Sequence, residues 1–252
     1  MKKIGLYLIV FLILQVCIPM VVMGLWRLAT GSADLTALML TVAMALYAVA
    51  TVAVFVRTGW AEVSPHYFRT RPYLVLLWSV VAAVGAIIPS MWLQEQLPDL
   101  PDLNSENFTL LMANRWGYFA IGLLVPLAEE IVFRGAILKE LLNKYTAQNA
   151  ILISALIFAV AHFNPAQMPH AFLVGLLLGW MYWRTGSILP GVAFHWANNS
   201  IAYVLFRVLP DNDATLLELL GSQRTVYMAV GFSLLILLPA LFQLHVWMKR
   251  ND

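Results

Sequence analysis

Charge is what this chain has least of: Asp, Glu, Lys and Arg make up 11% of its 252 residues, against roughly a quarter of an ordinary soluble domain. Its 15 Lys and Arg against 13 Asp and Glu leave a net charge of +2, so the balance hides neither a basic surface for nucleic acid nor an acidic tail. Nucleic-acid binding is thereby set aside. A single cysteine, Cys17, excludes an internal disulfide, and in its apolar run the thiol reads as a small hydrophobe. Internal repeats, low-complexity tracts and soluble modules are missing as well, which excludes solenoids and tethered catalytic domains.

Apolar length takes their place. Hydrophobic residues make up 62% of the chain, and the mean hydropathy is +0.80. A bilayer core of roughly 30 Å needs about 20 apolar residues of helix. Eight runs approach that length: Ile4–Trp26, Leu35–Val56, Tyr73–Leu93, Gly117–Leu138, Asn149–Phe163, His170–Trp183, Ser187–Leu209 and Val226–Trp247. The fifth and sixth are short and fit buried helices shielded from lipid by their neighbours. The expected fold is all-α, a polytopic membrane protein of about eight transmembrane helices. It forms one transmembrane domain over 1–252, with a motif-bearing core at 117–205.

The first run follows Met1, Lys2 and Lys3 as a signal peptide would, yet it continues without a small-residue cleavage site, so it reads as a retained span. Ten cations (Lys2, Lys3, Arg57, Arg69, Arg71, Lys139, Lys144, Arg184, Lys249, Arg250) fall on one side of this topology and four (Arg27, Arg115, Arg207, Arg224) on the other. Positive loops stay inside, which places both termini in the cytoplasm. The loop from Gln94 to Arg115, with Pro98 and Pro101, is the longest break and the expected boundary between halves.

Polar residues at bilayer depth carry the functional argument. A charge there costs roughly 3 kcal/mol even on the lenient insertion scale and normally faces a protein interior or a wet cavity. The fourth run holds three: Glu129, Glu130 and Arg134. Glu130 and Arg134 are one turn apart on one face and can neutralise each other. Glu129 points about 100° away around the helix and needs another partner. The fifth run places Phe158 and His162 one turn apart, with Pro165 closing the helix; the seventh does the same with His195 and Asn199. Each has a plain structural reading, as a core histidine or an interhelical amide, but coincidence on three helices favours a common site. His66 and His245 fall in or near loops and carry no functional reading; His170 begins the sixth run after Pro169 and reads as solvated at the interface; Trp180, Tyr182 and Trp183 read as an interfacial belt, and Gly175 and Gly179 as close helix packing.

The chemistry follows from the groups. A desolvated carboxylate becomes a stronger base toward water, and imidazole and amide groups can hold that water and donate to an oxyanion growing on a peptide carbonyl. No serine elbow is present and Cys17 has no histidine partner in view, so water is the expected nucleophile. Zinc stays open as a cofactor. Two histidines and a glutamate are a plausible ligand set, although the His-Glu-x-x-His pattern is absent. A proton-coupled transporter using the same groups as a relay, and a chaperone or scaffold that binds peptides uncut, are the rival readings.

At these residues the sequence resembles the family of CAAX prenyl proteases of the Ras-converting type and bacteriocin-processing enzymes, the CPBP or abortive-infection family of intramembrane proteases. The resemblance rests on Glu-Glu-x-x-x-Arg at Glu129, Glu130 and Arg134, Phe-x-x-x-His at Phe158 and His162, and His-x-x-x-Asn at His195 and Asn199, joined by the Gly175–Pro190 lead. It covers about Gly117 to Ser200. It implies eight helices enclosing an intramembrane cavity open to the cytoplasm, and endoproteolysis of a membrane-associated or leader-bearing polypeptide. By motif position Glu129 would activate water, supported by Glu130 and Arg134; His162 would hold that water, and His195 and Asn199 would stabilise the oxyanion. The proposed topology leaves one tension: Glu129 and His195 lie in the cytoplasmic half, while His162 falls late in an outward-running span. A bacterial cytoplasmic membrane is the expected setting.

Overall fold

The computed structural model describes residues 2–32, 34–61, 73–209 and 214–248. His66, Arg69, Arg71, Lys249 and Arg250, which entered the reading of the loops, lie outside these residues. Every regular element among the described residues is helical, as the apolar runs require when no water is at hand for backbone groups.

Four helices are long and apolar enough to cross a membrane: α1 (Lys2–Thr30), α2 (Ala37–Arg57), α3 (Leu74–Glu95) and, near the C-terminus, α11 (Gln223–Trp247). The protein is read on that basis as an integral membrane protein. Pro19, Pro89 and Pro239 sit inside three of these helices, a placement that membrane helices accommodate because neighbours re-satisfy the freed backbone groups. The break between Gln94 and Arg115 is not all loop, since Ser105–Ala113 forms the short helix α4.

The fourth apolar run is a helix of changing pitch. A π-helical stretch, π1 (Phe119–Leu124), leads into α5 (Val125–Glu130), then a second, π2 (Ile131–Leu138), and one closing turn, α6 (Lys139–Leu142). π-turns are rare and concentrate at functional sites. The remaining runs are shorter or more polar: α7 (Ala147–Val160), α8 (Met168–Thr185) and α9 (Leu189–Val208), with α10 (Leu216–Leu220) before α11.

Two apolar clusters set the layout. One joins α1, α2, α5, π2 and α7 through rings in edge-to-face contact, among them Phe11 with Phe133 at 5.1 Å and Phe133 with Phe158 at 5.0 Å. The other joins α3, α8, α9 and α11 around Ala82, Leu178, Phe194 and Leu244. Gly175 and Gly179 bring α8 onto α7, since a Cβ on either would lie 3.1 Å from Ala155 or Ile151. Tyr182 is buried in the first cluster rather than in an interfacial belt, and Trp180 stacks on His245, a residue of α11 and not of a loop. The seam between the clusters, where α5 and π2 meet α7, α8 and α9, is where the polar residues gather.

Candidate functional site

Glu130 and Arg134 form the floor of the seam. Their charged groups lie 2.9 Å apart with side-chain exposures of 0% and 1%. Arg134 Nη2 donates to the Gly175 carbonyl at 3.2 Å and the guanidinium lies 4.4 Å over the Phe158 ring, while Nε has no hydrogen-bond partner among the described residues. Such a pair survives burial only when hydrogen bonds and stacking offset the lost hydration. One carboxylate oxygen, Glu130 Oε2, has no hydrogen-bond partner and faces Gly191 on α9.

Glu129 leaves the helix in another direction, as its position one residue earlier dictates, and stays partly accessible. Its missing partner is His195, whose Nε2 lies 3.6 Å from Glu129 Oε2. The other ring nitrogen, Nδ1, lies 3.3 Å from Glu130 Oε1. One imidazole, carried by α9, is thus set between two consecutive carboxylates of α5, with Arg134 balancing the inner one. Two carboxylates, one guanidinium and one imidazole able to hold a second proton make a cluster that is neutral as a whole when that proton is present.

His162 is brought alongside but not into that contact. α7 has 14 residues, about 21 Å of rise, short of the roughly 30 Å of a bilayer core. The chain then turns: His162 Nδ1 lies 2.8 Å from the Phe158 carbonyl, and the Phe158 ring stands edge-to-face to both His162 (4.8 Å) and His195 (6.1 Å). Phe158 is therefore the spacer between the two imidazoles. Phe163 adopts a left-handed φ of +50°, an unusual conformation for a bulky residue. The fully buried Asn164 secures the turn by donating to Asp102 at 2.8 Å and accepting from the Leu103 backbone at 3.2 Å.

Asn199 is held by the irregular pitch of π1. The Val125 N–H donates to the Ala120 carbonyl, five residues back. The next donor in that ladder would be residue 126, which is Pro126 and has no N–H. The Ile121 carbonyl is left over, and Asn199 Nδ2 donates to it at 3.0 Å, while Asn199 Oδ1 accepts from Asn198 at 3.3 Å. Just outside, Trp196 Nε1 donates to the Tyr118 hydroxyl at 3.0 Å, and Ser200 lies 3.1 Å from that hydroxyl.

His170, expected from sequence to be solvated at the interface, is drawn into the fold. It lies in the first turn of α8 and is half-buried. The signal was the short His162–His170 connection, which returns the chain to the same end of the seam. His66 lies outside the described residues.

Among the described residues no group of three or more His, Cys, Asp or Glu side chains converges as a metal site. His195 Nδ1 is turned to Glu130 and His162 Nδ1 to a backbone carbonyl, which leaves the Nε2 of each as the nitrogen that could face an ion or a water.

Fold and site define a helical membrane protein with a carboxylate–imidazole cluster buried between helices. Residues 112–201 match the family described as Type II CAAX prenyl endopeptidase Rce1-like, which bears out the resemblance read from the three motifs. The chain is also 30% identical over 79 residues to UPF0177 protein YxdF of Lactococcus lactis subsp. lactis (strain IL1403), an overlap of 31% of this chain and 42% of that protein. The chain therefore spans less than half the length of that relative. No solved structure matches.

Proposed function

We propose that the protein is an intramembrane endopeptidase that hydrolyses a peptide bond with a water activated by Glu129. The observation that carries the reading is the 3.6 Å approach of Glu129 to His195 Nε2, next to a fully buried Glu130–Arg134 pair. A partly accessible carboxylate beside an imidazole, walled by apolar helices, is equipped to exchange a proton with water and with a departing amine. The match of residues 112–201 to a CAAX endopeptidase family supports the same class.

In this reading Glu129 takes a proton as the water oxygen bonds to the peptide carbonyl carbon. The carbonyl electron pair moves onto oxygen, where His195 and Asn199 stabilise it. Collapse of that intermediate breaks the C–N bond, and the proton held by Glu129 goes to the leaving nitrogen. His162 helps hold the water, Glu130 accepts from His195 Nδ1 and so orients its ring, and Arg134 neutralises Glu130. The substrate is a membrane-associated or leader-bearing polypeptide. The setting is a bacterial cytoplasmic membrane crossed by about eight helices, with both termini cytoplasmic.

Comparing N-terminal and C-terminal peptides from cells carrying the active protein or Glu129→Gln tests the proposal. Termini that appear only with the active protein support it. Equal yields with both, at equal protein levels, sink it.

A further inference from the structure

One buried polar group near the cluster has no part in that mechanism. Tyr47, on α2, is 2% exposed, and its hydroxyl has no hydrogen-bond partner among the described residues. An orphaned hydroxyl in an apolar interior is uncommon, because an unsatisfied polar group carries its full desolvation cost. Its position is not loose: the Tyr47 ring stands edge-to-face to Phe11 at 5.9 Å, Phe11 does the same to Phe133 beside Arg134, and α2 packs directly on α5. Phe133 follows Glu129 by four residues, about one helical turn, so this chain of rings runs toward the side of the helix that carries Glu129. Two further buried atoms without partners, Gln15 Oε1 and Thr51 Oγ1, lie on α1 and α2. Buried donors and acceptors without a protein partner are what internal water satisfies.

We propose that Tyr47 is a further catalytic residue, its hydroxyl oxygen accepting a hydrogen bond from the water that Glu129 activates. The inference rests on the endopeptidase reading. That water has two O–H bonds. Glu129 takes the proton of one as the oxygen attacks; a fixed acceptor for the other turns the oxygen lone pair toward the carbonyl carbon, and orientation of this kind is a large part of catalytic advantage. The Tyr47 proton stays on its oxygen throughout, so the proton balance between water, Glu129 and the leaving amine is unchanged. Tyr47 lies outside residues 112–201 and outside all three motifs.

Tyr47→Phe separates this role from a structural one. The hydroxyl has no protein hydrogen bond to lose, so the variant should unfold at the same temperature as the parent or a higher one. Cells expressing wild type, Glu129→Gln or Tyr47→Phe at matched levels are compared by the rate at which new peptide termini appear after induction. The proposal expects Glu129-dependent termini to form at least about tenfold more slowly with Tyr47→Phe. Termini that depend on Glu129 but form at the wild-type rate with Tyr47→Phe overturn the role of Tyr47 alone. No Glu129-dependent termini at all overturns this inference together with the endopeptidase reading. A lowered unfolding temperature for Tyr47→Phe also overturns it, because the hydroxyl would then be holding the fold together.

Discussion

Gly191 lies so close to Glu130 that a Cβ built on it would fall 2.7 Å from Glu130 Oε2. The absence of a side chain on α9 at that point is what allows a carboxylate to be buried against it. α9 is also the helix that delivers His195 four residues later, so the packing of Gly191 sets the separation between His195 and the two carboxylates. Gly191→Ala should force Glu130 or α9 to move. Overpacking of this kind costs about 1–3 kcal/mol, and thermal unfolding of the purified protein should register it together with a fall in hydrolysis. Unchanged stability and unchanged turnover would show that the seam is more yielding than its geometry implies.

Arg134 is the second test. Removing one member of a buried pair strands the other, at a cost of about 3–5 kcal/mol, whereas replacing both by apolar residues of similar size can be neutral. Arg134→Met should therefore be strongly destabilised, and Glu130→Leu combined with Arg134→Met should recover much of the loss. A double-mutant cycle on unfolding free energies measures that coupling. Simple additivity would mean that the 2.9 Å pair does not exist as described.

Asn199 holds a carbonyl that Pro126 leaves without a donor. Asn199→Ala removes that bond and should cost about 1 kcal/mol of stability, since a half-buried carbonyl loses its donor. The endopeptidase reading adds a larger kinetic loss, about 100-fold in kcat for a missing oxyanion donor. Pro126→Ala in that background restores an N–H at position 126 and should regain stability but not turnover. Recovery of both would make Asn199 a structural residue only.

The Phe163 turn makes the opposite prediction. A φ of +50° suits glycine, and replacing a strained left-handed residue by glycine relieves a cost of about 1 kcal/mol. Phe163 is also mostly exposed, so little packing is lost. Phe163→Gly should raise the unfolding temperature slightly, whereas Asn164→Ala, which strips the turn of its bonds to Asp102 and Leu103, should lower it. The pair of unfolding curves decides the matter.

A pH effect is expected away from the seam. Glu218 accepts from the Thr215 backbone and hydroxyl at the start of α10, each at 2.8 Å, and those two bonds hold its carboxyl below its ordinary 4.5. A folded-state value below the unfolded one gives stability that is present at neutral pH and is lost as pH falls through the lowered folded value. Protection of the Thr215 amide, its exchange rate set against the intrinsic rate at the same pH, should fall as the pH is taken below the ordinary glutamate range, and Glu218→Gln should flatten that dependence.

Much of this molecule was legible as a string. The four long apolar helices follow from run length alone, because a backbone without water must bond to itself. The Glu130–Arg134 pair follows from an i,i+4 spacing that any helix of near-regular pitch respects. The partner that Glu129 needed was foreseen as a requirement, yet its identity was not, since His195 is 66 positions away and only the packing of α9 on α5 brings it within 3.6 Å. α4 was hidden in a proline-bearing loop because nine residues carry too short a pattern to separate from a connection. Tyr182, read as an interfacial aromatic, turned inward because α8 presents that face to the first apolar cluster.

Composition and spacing by themselves settled that the chain folds as helices, that it places charge inside an apolar run, and that three motifs carry acid, imidazole and amide. Tertiary structure alone decided which nitrogen of His195 meets which carboxylate, that His162 stands behind the Phe158 ring, and that Asn199 answers a carbonyl freed by Pro126. The reason is physical. Helix formation and desolvation cost act locally and can be read residue by residue, whereas the meeting of groups from different helices depends on how closely Gly175 and Gly191 let those helices approach.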